Sequence, residues 1–493
     1  MAQETARQTG SQKAFDLSNP DLRDWLRIVD AAGKLRVVKG ADWNLEIGAL
    51  AEMVCLESSD PPCLLFDEIK DHPAGWRVVN HAVPSMTLAA MLLGLPPSQN
   101  HLELVKAWRQ RMQSLKHVPV RIEPDGPVLE NTWRGADIDM FRFPAPFWHE
   151  DDGGRFIGTG DVIITRDPDN GQINVGTYRM QVLDRDKLGL YIAPAQHARL
   201  HRDRYFERGQ KMPVVAVFGT HPLLFQASSM KMPLGVNEME WVGGVLGQPV
   251  EVIEGPITGL PFPANAEIVV EGFIDPSDLM DEGPFGEFTG YYASAMRKET
   301  FVKVEAVYFR NDPIIHGAQM MRPPGETHRA RQIINDAETW AGLEAAGVPD
   351  VRAVASVPVT CNGMVVVSIR QRYSGHAQQA GMITAQTIGL QLGRYVVVVD
   401  EDIDPSNVDE VLWALWTRSD PETSLTIVPN CRSQPLDPRL SPDRRITREY
   451  IGSRAVIDAT RPFHWREQFP KVVGTSADLQ AKMRSKWGED FFE

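Results

Sequence analysis

A series of short β-branched runs between residues 130 and 310 most restricts the fold of this chain. Gly, Pro or Asp residues bound each run, and few windows between the runs have helical spacing. Repeated short strands of this kind are typical of barrels and sandwiches. We therefore expect a barrel-like β domain here, with one helix inserted at 238–245. The expected strands are 162–165, 173–183, 214–219, 250–253, 266–274 and 301–309.

Helices and strands alternate before this region. Apolar residues at helical spacing predict helices over 21–30 and 45–57. Short apolar runs at 64–66 and 76–79 predict strands. We therefore expect an α/β domain ahead of the β domain.

The residues after 330 alternate in the same way. The continuous apolar run 395–399 is typical of a strand that is buried on both faces. A last helix is expected at 477–487, far enough from its own domain to pack on a partner subunit. The remaining elements expected are helices at 333–343, 377–392 and 408–416 and a strand at 365–369.

The length of 493 residues exceeds what one hydrophobic core usually serves. We predict a mixed α+β protein with an N-terminal α/β domain at 16–125, a central β domain at 126–320 and a C-terminal α/β domain at 330–455 that forms oligomers. Residues 456–493 are expected to form an extension whose helix lies at a subunit interface. A homodimer or a higher homo-oligomer should result.

The net charge of −14 argues against nucleic acid and against an anionic membrane as partners. The four cysteines are scattered without C-x-x-C spacing, which is typical of reduced thiols in a cytoplasmic protein. The first residues lack the apolar core of a signal peptide, and no apolar stretch approaches the roughly 18 residues of a membrane span. We therefore expect a soluble, cytoplasmic protein.

The clearest chemical signal is the run Glu282-Gly283-Pro284-Phe285-Gly286-Glu287. Its glycines and proline exclude a regular helix or strand, so it predicts a tight, rigid loop, with strand geometry returning at 288–292. Two carboxylates held close together by such a loop can acquire different pKa values, as acid/base catalysis requires. Taken alone, the run is also common in ordinary surface turns.

Three further positions suggest a cation site. Asn174, His197 and Glu238 offer an amide oxygen, an imidazole and a carboxylate, a donor set that suits Mn²⁺ or Mg²⁺ better than zinc. Arg179 offers a planar guanidinium, the preferred fork for a carboxylate. The oxygens of 228–230 suit a monovalent cation. Each of these residues, taken alone, is more often an ordinary structural polar group.

Several short motifs follow one another in a definite order along the chain. They are Asn174-Val175-Gly176-Thr177-Tyr178-Arg179, then Gln196-His197, then Ser228-Ser229-Met230 ahead of Glu238, and then 282–287 followed by Thr289-Gly290-Tyr291-Tyr292. This order and spacing resemble the UbiD family, decarboxylases that use prenylated FMN. The resemblance extends over about residues 20–470, and it implies a split β-barrel that binds the flavin in the central domain.

The resemblance also implies roles for individual residues. Asn174, His197 and Glu238 would hold Mn²⁺ next to the flavin phosphate, and Arg179, Glu282 and Glu287 would form the catalytic network. Oxygens of Ala227, Ser228, Met230, Arg418 and Glu238 would surround K⁺. The residues implied to line the cofactor are Asn174, Val175, Gly176, Thr177, Tyr178, Arg179, Gln196, His197, Ser229, Met230 and Glu238.

The implied reaction is the decarboxylation, possible in both directions, of an aromatic or heteroaromatic carboxylic acid. Loss of CO₂ from an sp² carbon requires an electron sink, which the cofactor supplies. Arg179 would orient the substrate carboxylate and pair with Glu282. Glu287 would deliver a proton, and burial would keep it protonated part of the time by raising its pKa. A flavin prenyltransferase would supply the cofactor.

Two other functions stay open on the sequence. A flavin-dependent oxidoreductase could use the same scaffold, although 158–160 lacks the third glycine of a nicotinamide-binding motif. A non-catalytic assembly factor would not need all three of Arg179, Glu282 and Glu287. Lys231 stands where some relatives have proline, and the lysine that some relatives place near Ile388 is missing. The identity of the aromatic acid is left open.

Overall fold

The computed structural model describes residues 21–491 except 195, 231, 233–234, 294 and 388–392. The N-terminal part alternates helices and strands, as the sequence predicts. Asp21 caps the first helix by accepting from Asp24 N at 2.6 Å, and the helix buries one apolar stripe. The elements are α1 (Leu22–Ala31), β1 (Leu35–Lys39), α2 (Glu46–Glu57), β2 (Cys63–Asp67), β3 (Arg77–Asn80), α3 (Met86–Leu92) and α4 (His101–Met112).

The central part consists mainly of strands, with helices inserted between them. Its elements are β4 (Arg121–Ile122), β5 (Asn131–Arg134), β6 (Phe156–Gly158), β7 (Val162–Arg166), β8 (Ile173–Gly176), β9 (Met180–Asp184), β10 (Lys187–Leu190), α5 (His197–Glu207), β11 (Met212–Val217), α6 (Pro222–Ser228), α7 (Glu238–Leu246), β12 (Glu251–Glu254), β13 (Pro261–Pro263), β14 (Ile268–Glu282), β15 (Arg297–Phe309) and β16 (Ile314–Gly317).

Most of these strands form one sheet with the order β6-β9-β10-β15-β14-β11-β7-β8, and β5 pairs with β15. Within the described chain, the end strands β6 and β8 do not pair with each other, so the sheet is open and the expected split barrel is not confirmed. The predicted strand at 173–183 is divided into β8 and β9. The predicted strand at 250–253 lies in a separate sheet with the order β13-β12-β4.

The N-terminal sheet has the order β1-β2-β3-β16, so its last strand comes from the far end of the central region. Ile314 to Gly317 run parallel to Arg77 to Asn80. The hydrogen bonds of an edge strand need a partner wherever that strand is buried. β16 supplies this partner for β3. It thereby joins the N-terminal and central parts of the chain just before the C-terminal part begins.

The C-terminal part is built on a sheet with the order β17-β18-β19-β21-β20. Its middle strand contains the apolar run 396–399, which is buried on both faces as predicted. The elements are α8 (Glu326–Ala345), β17 (Val351–Ser356), β18 (Met364–Ile369), α9 (His376–Thr387), β19 (Tyr395–Asp400), α10 (Val408–Arg418), β20 (Leu425–Arg432), α11 (Pro442–Ile446), β21 (Ile451–Ala459) and α12 (Ala477–Trp487).

A continuous hydrophobic core joins the three parts. One core cluster contains side chains from the N-terminal helices, from α6 and α7, from α8 and from one face of the C-terminal sheet. A second cluster fills the space between the large central sheet and the N-terminal sheet. Such burial supplies most of the favourable free energy of folding. Among the described residues, none of the helices combines the length and the apolar character needed to cross a bilayer.

Candidate active site

The acidic loop that the sequence singles out follows β14, whose last residue is Glu282. Gly283 has a φ of 80°, in the left-handed region that glycine adopts without strain. Glu287 N donates to the Tyr291 carbonyl at 3.0 Å, which closes the following chain into a turn. Residues 288–292 are therefore turns and bends, and the predicted return to strand geometry is wrong.

Gln181 on β9 holds this loop against the sheet. Its Oε1 accepts from Gly283 N at 2.8 Å, and its Nε2 donates to the Gly153 carbonyl at 2.8 Å. Gly153 N donates to the Pro284 carbonyl at 2.7 Å. A side chain at position 153 would collide with the loop, since its Cβ would lie 2.0 Å from the Gly283 carbonyl oxygen. These contacts bind the loop to β9 and to the segment at 153, and its rigidity stays a prediction.

The structure brings Arg179, Glu282 and Glu287 into direct contact. Arg179 Nε and Nη2 donate to the two oxygens of Glu282 at 2.8 and 3.0 Å, and Nη1 donates to Glu287 Oε1 at 2.7 Å. The side chains are at most 8% exposed. Burial alone would lower the pKa of Arg179, but its hydrogen bond with Glu282 and the charges of both carboxylates outweigh burial and raise it. The guanidinium therefore stays charged between the two acids.

A second arginine, which the sequence analysis did not identify, extends this group. Arg297 Nε lies 3.8 Å from Glu282 Oε2 and 3.5 Å from Glu299 Oε1. Its guanidinium carbon lies 3.5 Å from the Tyr191 ring centre, and that of Arg179 lies 5.0 Å from the same ring. Glu282 is thus bound by Arg179 through both oxygens and lies within ion-pair distance of Arg297.

The register of the β14–β15 hairpin explains the position of Arg297, since Glu282 and Arg297 are opposite each other in the pair. A reader of the sequence could have found this pairing only by aligning the two strands across the intervening loop. Nothing in the sequence around Tyr191, which lies just after β10, indicated that its ring would contact both arginines.

Two of the predicted Mn²⁺ ligands are adjacent in the structure. Glu238 is the first residue of α7, and its Oε2 accepts from Val175 N at 3.1 Å, next to Asn174 on β8. Burial raises the pKa of Glu238 to about 7, although backbone hydrogen bonds partly oppose this effect. The buried Asn174 Nδ2 has no hydrogen-bond partner in the described part of the chain. The carboxylate of Glu238 and the side-chain oxygen of Asn174 are oxygen donors of the kind that bind a hard cation, while the unpartnered nitrogen could donate to an anion.

The Tyr178 hydroxyl links this pair to the start of α5. Burial raises the pKa of Tyr178, while the Asn174 side chain and the Ala198 backbone, both beside its hydroxyl, oppose that rise. His197, the remaining predicted ligand, directly precedes Ala198 as the first residue of α5. Over the described residues, no group of three or more His, Cys, Asp or Glu side chains is arranged to hold a metal. The predicted set contains an amide and falls outside that pattern, so its role stays a prediction.

A cavity of about 190 Å³ lies beside these residues. It separates the β8–β9 loop and the end of α6 from the start of α8 and from the C-terminal part of the chain. Of the predicted cofactor-lining residues, the cavity contains Thr177, Tyr178, Gln196, Ser229 and Met230. The other lining residues, which the sequence analysis did not assign to the cofactor, are Thr159, Phe225, Ser228, Phe288, Met320, Arg331, Gln434 and Leu436.

The predicted K⁺ ligands are only partly brought together. Ala227 and Ser228 end α6, and their carbonyls accept from Met230 N at 3.0 Å and Thr177 N at 3.2 Å. This places the end of α6 against the β8–β9 loop, near Glu238 on α7, which packs on α6. A carbonyl oxygen has a second lone pair, so these oxygens can still bind a cation.

Arg418, the last residue of α10, has its guanidinium in an ion-pair cluster of the C-terminal sheet. It donates to Asp400 at 3.0 Å and to both oxygens of Asp402 at 2.9 Å. These bonds involve the side chain and not the carbonyl oxygen, so the place of Arg418 in the K⁺ set stays a prediction. Gln434 and Leu436 bring the C-terminal part of the chain to the cavity. Lys231 and Ile388, the two departures noted in the sequence, lie outside the described residues.

Asp161 is a further buried acid beside the cavity. Its Oδ1 accepts from Thr177 Oγ1 at 3.1 Å, and its Oδ2 has no partner among the described residues. Burial raises the pKa of Asp161 to about 8, and the hydrogen bond from Thr177 opposes this only in part. The carboxyl is thus mostly protonated at neutral pH.

Asp161→Asn should flatten the dependence of stability on pH. The pKa is about 8 in the folded protein and about 3.9 in an unfolded chain. Because the folded state binds this proton more tightly, the stabilisation is complete below about pH 4 and is lost as the pH rises through about 8. Above about pH 8, the free energy of unfolding of Asp161→Asn should exceed that of the wild type by on the order of a few kcal/mol. Urea unfolding at a series of pH values measures this difference.

Asp151→Asn is the matched control for that series, since Asp151 is an exposed acid of the same region. It should leave the wild-type profile unchanged. Parallel profiles for the wild type and Asp161→Asn would contradict the protonated state of Asp161.

Three family models match this chain consecutively. They are described as the N-terminal domain (residues 26–108), the Rift-related domain (residues 120–323) and the C-terminal domain (residues 328–459) of 3-octaprenyl-4-hydroxybenzoate carboxy-lyase, UbiD. The chain belongs to the UbiD family. UbiD enzymes are carboxy-lyases, so the resemblance noted in the sequence is confirmed over most of the chain.

Characterised UbiD relatives cover nearly the whole chain. The pyrrole-2-carboxylic acid decarboxylase of Pseudomonas aeruginosa is 31% identical over 91% of this chain and 93% of its own. The phenolic acid decarboxylase of Bacillus subtilis is 32% identical over 90% of this chain and 92% of its own. The chain is therefore a UbiD-type decarboxylase by its similarity to these enzymes.

Solved UbiD structures have the same fold. The UbiD-class enzyme HmfF from Pelotomaculum thermopropionicum, in complex with FMN, matches with a TM-score of 0.79 and 30% identity over 93% of this chain and 98% of its own. The vanillic acid decarboxylase of Sedimentibacter hydroxybenzoicus, in an open form, matches with a TM-score of 0.82 and 28% identity over 96% of this chain and 99% of its own. The mixed α+β fold of this chain is thus that of UbiD enzymes.

Proposed function

We propose that this protein catalyses the non-oxidative, reversible decarboxylation of an aromatic or heteroaromatic carboxylic acid with prenylated FMN. The observation that carries the proposal is the buried contact of Arg179 with Glu282 and Glu287, whose chain neighbours line a cavity. Tyr178, which precedes Arg179, and Phe288, which follows Glu287, both line that cavity. A charged fork and a carboxyl group therefore adjoin a space for a ligand.

The residues present fit a flavin phosphate with its cations. Glu238 is buried with a raised pKa, and a divalent cation would stabilise its carboxylate together with the side-chain oxygen of Asn174. The Asn174 amide nitrogen, which has no partner among the described residues, would be free to donate to a phosphate oxygen. Mn²⁺ would be held by Asn174, His197 and Glu238, and K⁺ by oxygens of Ala227, Ser228, Met230 and Glu238. When bound, prenylated FMN supplies the electron sink for the carbon that loses CO₂.

The side chains of the network have separate tasks. Arg179 orients the substrate carboxylate, and Glu282 holds the guanidinium in place through two hydrogen bonds at 2.8 and 3.0 Å. Glu287, bound by one guanidinium nitrogen, delivers a proton to the carbon from which CO₂ leaves. Phe285 packs on Phe156 with ring centres 4.2 Å apart and keeps water out from beneath the loop.

The cavity favours an aromatic substrate. Phe225, Phe288, Met320 and Leu436 give it apolar walls, which suit a flat ring better than a polar aliphatic acid. The relatives named above act on pyrrole-2-carboxylic, phenolic and vanillic acids. We place the substrate of this protein in the same chemical range of ring-substituted carboxylic acids.

Co-expression with a flavin prenyltransferase tests the proposal. The purified protein should carry a modified flavin with its own absorbance spectrum and release CO₂ from at least one acid in a panel of pyrrole, furan, indole and hydroxybenzoate carboxylates. Protein expressed without the prenyltransferase is the control and should be inactive. Flavin-dependent oxidation of NADH or NADPH without CO₂ release would instead support the oxidoreductase alternative.

We also propose that the protein is a homo-oligomer through its C-terminal part and that it works in the cytoplasm. Helix α10 exposes Leu412, Trp413 and Trp416, the last with 85% of its surface accessible. Adjacent exposed apolar side chains of this size are typical of a protein interface.

Trp416→Glu should therefore lower the molecular mass in sedimentation velocity by splitting the oligomer, because it places a charge in the contact. Lys39→Glu, an exposed change in the N-terminal domain, is the control and should leave the mass unchanged. A wild-type monomer, or an unchanged mass for Trp416→Glu, would reject this interface.

A further inference from the structure

Arg331 on α8 is a half-buried cation that faces the cavity without a carboxylate partner. Its Nη2 donates to the Ser229 carbonyl at 2.7 Å, and its Nε has no hydrogen-bond partner in the described residues. No Asp or Glu among the residues that the structure describes comes within ion-pair distance of it. Of the described residues that line the cavity, it is the one that carries a full positive charge at neutral pH.

Three arginines elsewhere in the described chain show how such a cation is usually satisfied. Arg155 has no carboxylate partner and donates through Nε, Nη1 and Nη2 to backbone carbonyls. Arg179 is balanced by Glu282 and Glu287, and Arg418 by Asp400 and Asp402. A buried charge with no opposite charge is expensive, and proteins rarely retain one without a reason. Burial, with nothing to offset it, lowers the pKa of Arg331 to about 10, so the group is still charged at neutral pH and needs an anion.

The surroundings indicate which part of a ligand would supply that anion. Arg331 binds the Ser229 carbonyl, next to Ser228 and Met230 in the segment that faces the Asn174 and Glu238 pair. Gln196, which also lines the cavity, directly precedes α5, so the positive end of that helix dipole lies beside the cavity and favours an anion there. Arg179 already serves the carboxylate at the other end of the cavity.

We propose that Arg331 binds the phosphate of the flavin cofactor. This inference rests on the proposed function, since it assigns one end of the same cavity. Nε and one hydrogen of Nη2 form a fork for two phosphate oxygens, while the second hydrogen of Nη2 keeps its hydrogen bond to the Ser229 carbonyl. The phosphate then neutralises the buried charge, and the apolar walls formed by Phe225 and Met320 are left for the rings.

The test compares FMN with riboflavin, which lacks the phosphate, by quenching of flavin fluorescence in the purified full-length protein. The wild type should bind FMN more tightly than riboflavin. Arg331→Gln should lose about 10- to 100-fold in FMN affinity with riboflavin affinity unchanged. Arg331→Lys should keep part of the preference, because it retains the charge but not the fork.

Arg329→Gln is the matched control, because Arg329 is a partly buried arginine on the same helix that does not line the cavity. It should leave both affinities unchanged. Inorganic phosphate should compete with FMN in the wild type and not in Arg331→Gln. Equal losses of FMN and riboflavin in Arg331→Gln, or an unchanged preference for FMN, would overturn the assignment.

A second experiment uses only the wild type, so its result does not depend on whether Arg331→Gln folds. FMN should protect Arg331 from modification by phenylglyoxal, read by peptide mass spectrometry, and riboflavin should not. Equal protection by both flavins would overturn the assignment of Arg331 alone. A wild type that binds neither flavin would reject the proposed function itself.

Discussion

Glu287→Gln should reduce the rate of decarboxylation by about 10²- to 10⁴-fold, the usual contribution of a positioned proton donor. Glutamine has nearly the same shape, and its carbonyl oxygen can still accept the 2.7 Å hydrogen bond from Arg179 Nη1. It has no proton to give to the carbon that loses CO₂. Flavin binding and the free energy of unfolding should therefore change little. Initial rates of CO₂ release from the reconstituted enzyme measure the effect.

A second measurement separates proton delivery from a general disturbance of the site. In D₂O the wild type should place deuterium at the carbon that carried the carboxyl group, and the variant should do so at the reduced rate. Asp281→Asn is the control, since this neighbouring acid on β14 is 56% exposed and paired with Lys298. It should be fully active. Normal turnover in Glu287→Gln would remove Glu287 from its role.

Arg179→Met should abolish turnover and also destabilise the protein by about 3–5 kcal/mol, the usual cost of breaking a buried ion pair from one side. The variant leaves Glu282 and Glu287 at most 8% exposed with their shared cation removed. Protonation of the two carboxylates removes this buried charge, so the deficit should shrink as the pH is lowered. Urea unfolding at about pH 5 and pH 8 measures both effects.

The double variant Arg179→Met with Glu282→Gln distinguishes stability from catalysis. Removing one of the two stranded charges should recover part of the lost free energy of unfolding. Turnover should stay absent, because no guanidinium orients the substrate carboxylate. Arg179→Lys should be more stable than Arg179→Met but poorly active, since a lysine cannot bind both acids as a fork. Wild-type stability in Arg179→Met would contradict the role of this contact.

Local patterns in the sequence predicted most of the fold correctly. Helix α1 was found because its apolar residues recur at helical spacing, and β19 because 396–399 form an unbroken apolar run. The break between β8 and β9 was missed, since Thr177 and Tyr178 at the break are residue types that favour strands. Thr177 is held out of the strand there by a bond from its N to the Ser228 carbonyl at 3.2 Å, a contact with a distant segment.

The same limit applies to the barrel and to the domain edges. Strand content was predicted well, but the closure of the sheet depends on whether β6 and β8 meet, and in the described chain they do not. The addition of β16 to the N-terminal sheet was also not predicted, because the sequence of a four-residue strand does not indicate which strand it pairs with.

The residue types of the site could be predicted from the sequence more readily than their arrangement in space. Glu282 and Glu287 could be recognised together because one short loop holds them, and the motif order led to Arg179, His197 and the UbiD family. The ion pairs join Arg179 to acids that are 103 and 108 residues away, and only folding brings them within 2.8 Å.

Residue type, spacing and order along the chain are local properties, so the sequence alone was enough to establish the family, the reaction class and the identity of the acidic loop. The burial of a charge, the absence of its partner and the shape of a cavity depend on segments that are distant in the chain. For that reason Arg331, Asp161 and Arg297 were recognised beside the site once the tertiary contacts were known.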